Sequence, residues 1–179
     1  AGLDSKAIED KVMDLLNGTI IHTTNNGYSI EESMPYYKSD NQYIIYAKGA
    51  GIYLNNSQPA IINNCTFIGH TNAGEDDTDA AAIHVGANDL TISNSIFWDN
   101  YPNALKVGNS GTITINYSNH QGGESGVSIV NNGTLNWGEG NIDADPLFCN
   151  ADSSDFTLYD NSPCVGTGQD GVNIGAFGI

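Results

Sequence analysis

The sequence predicts an all-β chain wound as a parallel solenoid, with three short strands in each coil. Three observations carry the prediction: short alternating segments recur at near-regular spacing, turn residues separate them, and only 15% of the residues are charged. Four segments read small, apolar, variable, apolar. They are Gly51-Ile52-Tyr53-Leu54, Ala82-Ile83-His84-Val85, Ala104-Leu105-Lys106-Val107 and Gly126-Val127-Ser128-Ile129, and they start 31, 22 and 22 residues apart. A second set follows them. Ala60 to Phe67 matches Leu90 to Phe97 at an offset of 30, and Ile113 to Ser118 continues the series at an offset of 23 from Leu90. Each segment alternates with period two but is too short for a conventional sheet. Stacked about 4.8 Å apart, every strand can pair in parallel with its counterpart one repeat later.

Taken in chain order, residues 4–16 read as an amphipathic helix. Asp4 is its N-cap, Ile8, Val12, Leu15 and Leu16 share one face, and Asn17-Gly18 ends it. It is expected to cover the first coil, because coil ends are open sheet edges. The coils are assigned to residues 17–137, with no clear register between Thr24 and Gln42. In one coil the first sheet points Ile83 and Val85 inward, and Gly86 to Asp89 turn the chain. The second sheet buries Leu90 and Ile92, Ser93-Asn94 bend it, Ser95 to Phe97 form the third sheet, and a variable loop closes the coil. Ile83, Leu105 and Val127 should then form one hydrophobic column. The bend falls at Asn63-Asn64, Ser93-Asn94 and Asn116-Tyr117. Asn tolerates left-handed φ there, and Tyr117 departs from the pattern. The rhythm ends after Trp137. In residues 138–179, Pro146 and Pro163 interrupt ladder pairing, and Leu147, Phe148, Phe156, Leu158, Val165, Ile174 and Phe177 are expected to fold over the last coil as a plug. The 179 residues read as one domain.

Charge excludes several functions. Against 21 Asp and Glu stand 5 cations, all lysines, for a net charge of −16. A surface without a basic patch cannot neutralise phosphates, so nucleic acid is not an expected partner. No stretch approaches the 18 consecutive apolar residues of a membrane span. With 23 Asn and 21 Gly, the composition is that of a turn-rich β protein.

The chain from about Gly51 to Gly178 resembles the secreted bacterial right-handed parallel β-helix repeat proteins, which share their architecture with pectate lyases. The tail carries the resemblance most specifically: Tyr117-Ser118-Asn119, Gln121-Gly122-Gly123, Gly138-Glu139-Gly140-Asn141-Ile142-Asp143-Ala144-Asp145-Pro146-Leu147-Phe148, Asp155-Phe156-Thr157-Leu158, Ser162-Pro163-Cys164 and Ile174-Gly175-Ala176-Phe177. The resemblance implies a right-handed β-helix and a secreted or cell-surface protein. Ala1 could follow a cleaved signal peptide. The resemblance also implies that an active site, if there is one, lies on the outward face of the first sheet, walled by the variable loops.

On that face stand Tyr53, His84, Lys106 and Ser128, one from each coil. Lys106 could serve as the base of a uronate β-elimination with His84 or Tyr53 as the acid, and Ser128 would contact the ligand. Three points weigh against it. Related lyases commonly use arginine, absent here. The negative surface would repel polyuronates, and four coils make only a short cleft. The plain alternative is an exposed stripe of mixed polar residues. Trp98, Asp99 and Tyr101 could line a sugar platform beside it; otherwise Trp98 and Tyr101 are ordinary loop anchors. Glu75, Asp76, Asp77 and Asp79 could ligate Ca²⁺, which favours oxygen ligands, or form a solvated acidic face. Glu139, Asp143 and Asp145 pose the same choice, and the two aspartates could simply organise the turn before Pro146. Cys149 and Cys164 flank the two halves of the tail. In an oxidising compartment, a disulfide between them would staple it at a gain of about 3 kcal/mol. Cys65 occupies the place of Ser95 and Ser118, which suits a buried small residue.

The expected function is therefore an extracellular module with a structural, adhesive or glycan-binding role, with homo-assembly through the coil ends as a further possibility. The alternative is a polysaccharide lyase or glycoside hydrolase acting at Tyr53, His84 and Lys106. Ice binding by a flat threonine array is set aside, because Thr91, Thr112 and Thr114 do not recur in register across the coils.

Overall fold

The computed structural model describes residues 23–24, 27–28, 43–45, 52–54, 59–71 and 82–179. Over these the chain is all-β, without an α-helix. The helix expected over residues 4–16 lies outside the described residues.

The strands in chain order are β1 (Thr23–Thr24), β2 (Gly27–Tyr28), β3 (Tyr43–Ile45), β4 (Ile52–Leu54), β5 (Ala60–Asn63), β6 (Cys65–Ile68), β7 (Ile83–Val85) and β8 (Asp89–Ser93). They continue with β9 (Ile96–Trp98), β10 (Leu105–Val107), β11 (Thr112–Asn116), β12 (Asn119–His120), β13 (Ser128–Ile129), β14 (Thr134–Trp137), β15 (Phe148–Asn150) and β16 (Asp155–Leu158). Twelve of them make three four-stranded sheets, ordered β4-β7-β10-β13, β5-β8-β11-β14 and β3-β6-β9-β12. Every pairing within these three is parallel. Each pass of the chain thus adds one strand to each sheet, as the repeat predicts. β1 with β2 and β15 with β16 are small antiparallel pairs.

The observed register is the one read from the repeat. Ile52 pairs with Ile83 and Ile83 with Leu105, Lys106 pairs with Ser128, and Leu90 pairs with both Ala60 and Ile113. Alternation in such short strands sends every second side chain into one interior. Ile83, Leu105 and Val127 are all buried there, with Leu90, Ile92, Ile113 and Ile115 facing them. From the third sheet, the Phe67 and Phe97 rings stack with centroids 4.8 Å apart. His120 extends this aromatic column, 5.9 Å from Phe97 and edge-on to Trp137 at 6.1 Å.

Between the second and third sheets the chain bends through one left-handed residue in each pass: Asn64 (φ 52°), Asn94 (φ 48°), Tyr117 (φ 46°) and Gly140 (φ 71°). Tyr117 therefore obeys the geometry of the asparagine positions although its side chain differs. Its ring takes the space above Gly140, where a Cβ would overlap it. After the first two bends a serine hydroxyl bridges passes, and after the third the Asn141 side-chain oxygen does so, accepting from Ser118 N–H at 3.0 Å. Cys65 N–H donates to Ser95 Oγ at 3.1 Å, and Ser95 N–H donates to Ser118 Oγ at 3.1 Å.

The tail corrects one expectation. Residues 138–142 follow the edge of the last pass, Ile142 pairing with Asn119, but the rest lies along the outer face of the third sheet instead of closing over that pass. Leu158, Cys164 and Ile174 pack on Ile96, joined by Trp98, Ile142, Phe148 and Val165. Backbone groups of the tail bond successively earlier passes. Asn119 Nδ2 donates to Ala144 O at 2.7 Å, Gln169 N–H to Asn94 Oδ1 at 2.8 Å, and Ala176 N–H to Thr66 Oγ1 at 3.1 Å. The physical reason is the outward row Thr66, Ile96 and Asn119. Its apolar and polar atoms together need a cover that can both pack and hydrogen-bond.

Candidate functional site

The first sheet assembles the polar row expected of it. Tyr53 pairs with His84, His84 with Lys106, and Lys106 with Ser128. Their neighbours Ile83, Val85, Leu105 and Val107 are fully buried, so alternation turns this row to the opposite face. Tyr53's side chain lies outside the described residues. The row is no open stripe, however: Lys106 is only 7% exposed, while His84 and Ser128 are half-buried. The lysine stem is covered, and any ligand there must reach a closed position.

The proposed sugar platform divides. Trp98 packs against the tail cluster instead of presenting its ring to solvent. Asp99 is exposed with left-handed φ (53°), and its N–H donates to Gln121 Oε1 at 2.7 Å. Tyr101 is 60% exposed. Of these three, Tyr101 presents the most open aromatic surface.

The acidic groups of the tail side are turn-formers. Asp143 Oδ1 accepts Gly122 N–H at 3.1 Å, Asp145 Oδ1 accepts Leu147 N–H at 2.9 Å, and Glu139 Oε1 accepts the Tyr117 hydroxyl at 2.8 Å. Among the described residues, no group of three or more His, Cys, Asp or Glu could hold a metal ion. Glu75, Asp76, Asp77 and Asp79, the expected Ca²⁺ ligands, lie outside the described residues.

The expected disulfide is corrected: Cys149 and Cys164 are both free thiols. Cys164 is buried beneath the tail, where its Sγ accepts Asn119 Nδ2 at 3.1 Å, whereas Cys149 lies half-buried on β15. Hydrogen bonds and apolar packing on the third sheet fasten the tail instead. Cys65 is buried as expected. Desolvation pushes its thiol up to about 12, far from a nucleophile's range. The His120 imidazole, also buried, is held down to about 4 by desolvation. Its Nδ1 bonds Gly123 O at 3.0 Å, and its buried Nε2 has no hydrogen-bond partner.

The feature that sequence reasoning missed is the outer face of the second sheet. Its middle row is Ile61, Thr91, Thr114 and Asn136, in register across four passes. A flanking row runs Asp89, Thr112 and Thr134, and another runs Asn63, Ser93 and Asn116. The threonines therefore do recur in register, contrary to the expectation: Thr91 lies beside Thr114, and Thr112 beside Thr134. The signal was present in the offsets of 23 and 22 residues once applied to the outward positions. Along these rows every side chain is exposed or half-exposed, and Asp89 is the one carboxylate among them. Cross-pass bonds order the face. Ser93 Oγ donates to Asn63 Oδ1 at 2.9 Å, and Asn136 Nδ2 donates to Thr114 Oγ1 at 3.2 Å.

A family model described as Domain of unknown function (DUF5123) matches residues 60–171. No curated protein and no solved structure matches the chain.

Proposed function

The chain belongs to the DUF5123 family, and we propose that it is a secreted or cell-surface right-handed parallel β-helix with a non-catalytic role, structural, adhesive or glycan-binding. The observation that carries this reading is the register of the three parallel sheets. Such stacking gives a rigid rod whose side chains form fixed rows, while the row richest in acid–base groups is closed over Lys106. Rows of side chains held about 4.8 Å apart suit a partner that is itself repetitive. The open strand edges of the end passes, β13 and β14 among them, are the places where copies would stack end to end.

A second reading, polysaccharide lyase, is favoured by one observation: the pairing that sets His84 beside Lys106. One experiment separates the two. The protein is incubated with neutral and anionic polysaccharides while retention in affinity gels and unsaturated products are followed. Retention without product supports the module. Product that disappears in Lys106→Ala overturns it in favour of the lyase.

A further inference from the structure

We propose that the outer face of the second sheet is the binding surface, and that its ligand is an extended neutral polysaccharide. The inference rests on the non-catalytic glycan-binding reading above and names the surface and the ligand class. The argument begins with charge. On a chain of net charge −16, a broad face whose described rows bear a single carboxylate is a local exception. An anionic polymer would be repelled by the rest of the molecule, and a cationic one would find little here to pair with.

Chemistry narrows the class further. Hydroxyl and carboxamide groups both donate and accept, which is what sugar hydroxyls require. The methyl groups of Thr91, Thr112, Thr114 and Thr134, with the Ile61 side chain at 62% exposure, supply apolar contacts between the polar ones. A glycan surface alternates C–H and O–H groups in the same way. The Asn136–Thr114 and Ser93–Asn63 bonds already hold side chains in place, so less rotamer freedom is lost on binding. An ordered water lattice is the other partner a threonine array could take. Here Asp89, Ile61 and Asn136 interrupt the threonine rows, and a ligand with variable torsions tolerates such gaps better than a crystal does.

The test uses affinity electrophoresis of the full chain in gels containing xyloglucan, galactomannan or dextran, with pectate and alginate as anionic controls. Retardation by at least one neutral polymer is expected. Thr91→Glu and Thr114→Glu should each weaken it at least tenfold with an unchanged circular dichroism spectrum, whereas Asn161→Asp, at an exposed position of the tail, should leave it within twofold. If the two glutamate variants bind normally while Ser128→Glu does not, the glycan-binding reading stands and this face is the wrong one. Binding of the anionic polymers alone overturns the ligand class. Inhibition of ice recrystallisation without glycan retardation assigns the face to ordered water and overturns the proposal. If no polymer is retained and ice is unaffected, the glycan-binding reading fails along with the face.

Discussion

At the residue scale, His120 shows how a polar group is used as core. It continues the Phe67–Phe97 column and meets Trp137 edge-on, so it must remain neutral. Its folded value of about 4 lies below the ordinary 6.5, with desolvation the dominant cause; the Gly123 carbonyl and the nearby Asp143 carboxylate work the other way. The unfolded chain therefore binds more protons in that interval. Stability is fully present above about pH 6.5 and is lost as pH falls towards 4, by about 3 kcal/mol. Urea unfolding of the protein and of His120→Gln at a series of pH values checks this. The variant should show the smaller slope between pH 6.5 and 4, and equal slopes would remove His120 as the cause. Sequence inspection passed over this role, although the 23-residue offset that relates Leu90 to Ile113 also carries Phe97 onto His120.

At the scale of elements, the contrast lies between strands and tail. Strand positions were legible because a repeat is measured against itself. Once Leu90 is aligned with Ile113, every inward and outward position of the second sheet follows. The tail has no second copy to compare with, and its apolar residues fit the end of a stack as readily as its side. The outward row Thr66, Ile96 and Asn119 decided the matter, and it is recognisable only when the third sheet is already drawn. The expectation of a disulfide failed for a related reason: two cysteines that bracket a segment say nothing about the direction of their side chains. Gly175 is where the docking is tightest. It has φ 99°, and a Cβ there would sit 2.6 Å from Ile96 Cδ1. Gly175→Ala should cost more than about 1 kcal/mol and lift the tail. The check is limited proteolysis combined with a melting curve. Cleavage within residues 138–179 should accelerate, and an unchanged digestion pattern would contradict the assigned contact.

For the whole molecule, cohesion comes from contacts between neighbouring passes. Leu105 sits inside one column with Ile83 before it and Val127 after it, and it is fully buried. Leu105→Ala removes packing on both sides and should cost about 2–5 kcal/mol. Urea denaturation followed by tryptophan fluorescence reads that loss, and a shift below 1 kcal/mol would mean that the column is not a continuous core. The all-β class, the parallel register and the bends were thus readable in advance, since short-period alternation and pass length are properties of the chain alone. Exposure was not. Nothing in the spacing of Lys106 revealed that it would be covered, or that the second sheet would be left bare.

The unequal spacing of the passes has its own consequence. From Ile68 to Ile83 the chain takes 15 steps, yet from Trp98 to Leu105 it takes only 7, and the strands on either side keep the same partners. Eight of the nine extra residues of the long pass fall in the seam between the third and first sheets, so additional residues can be spliced there without shifting the register of the flanking strands. Lengthening a loop costs little free energy once its ends are fixed. Variants of this chain can therefore diversify at that seam, and a foreign peptide grafted between Thr71 and Ala82, clear of the buried His70 and Ala82 side chains, should be displayed on an undisturbed frame.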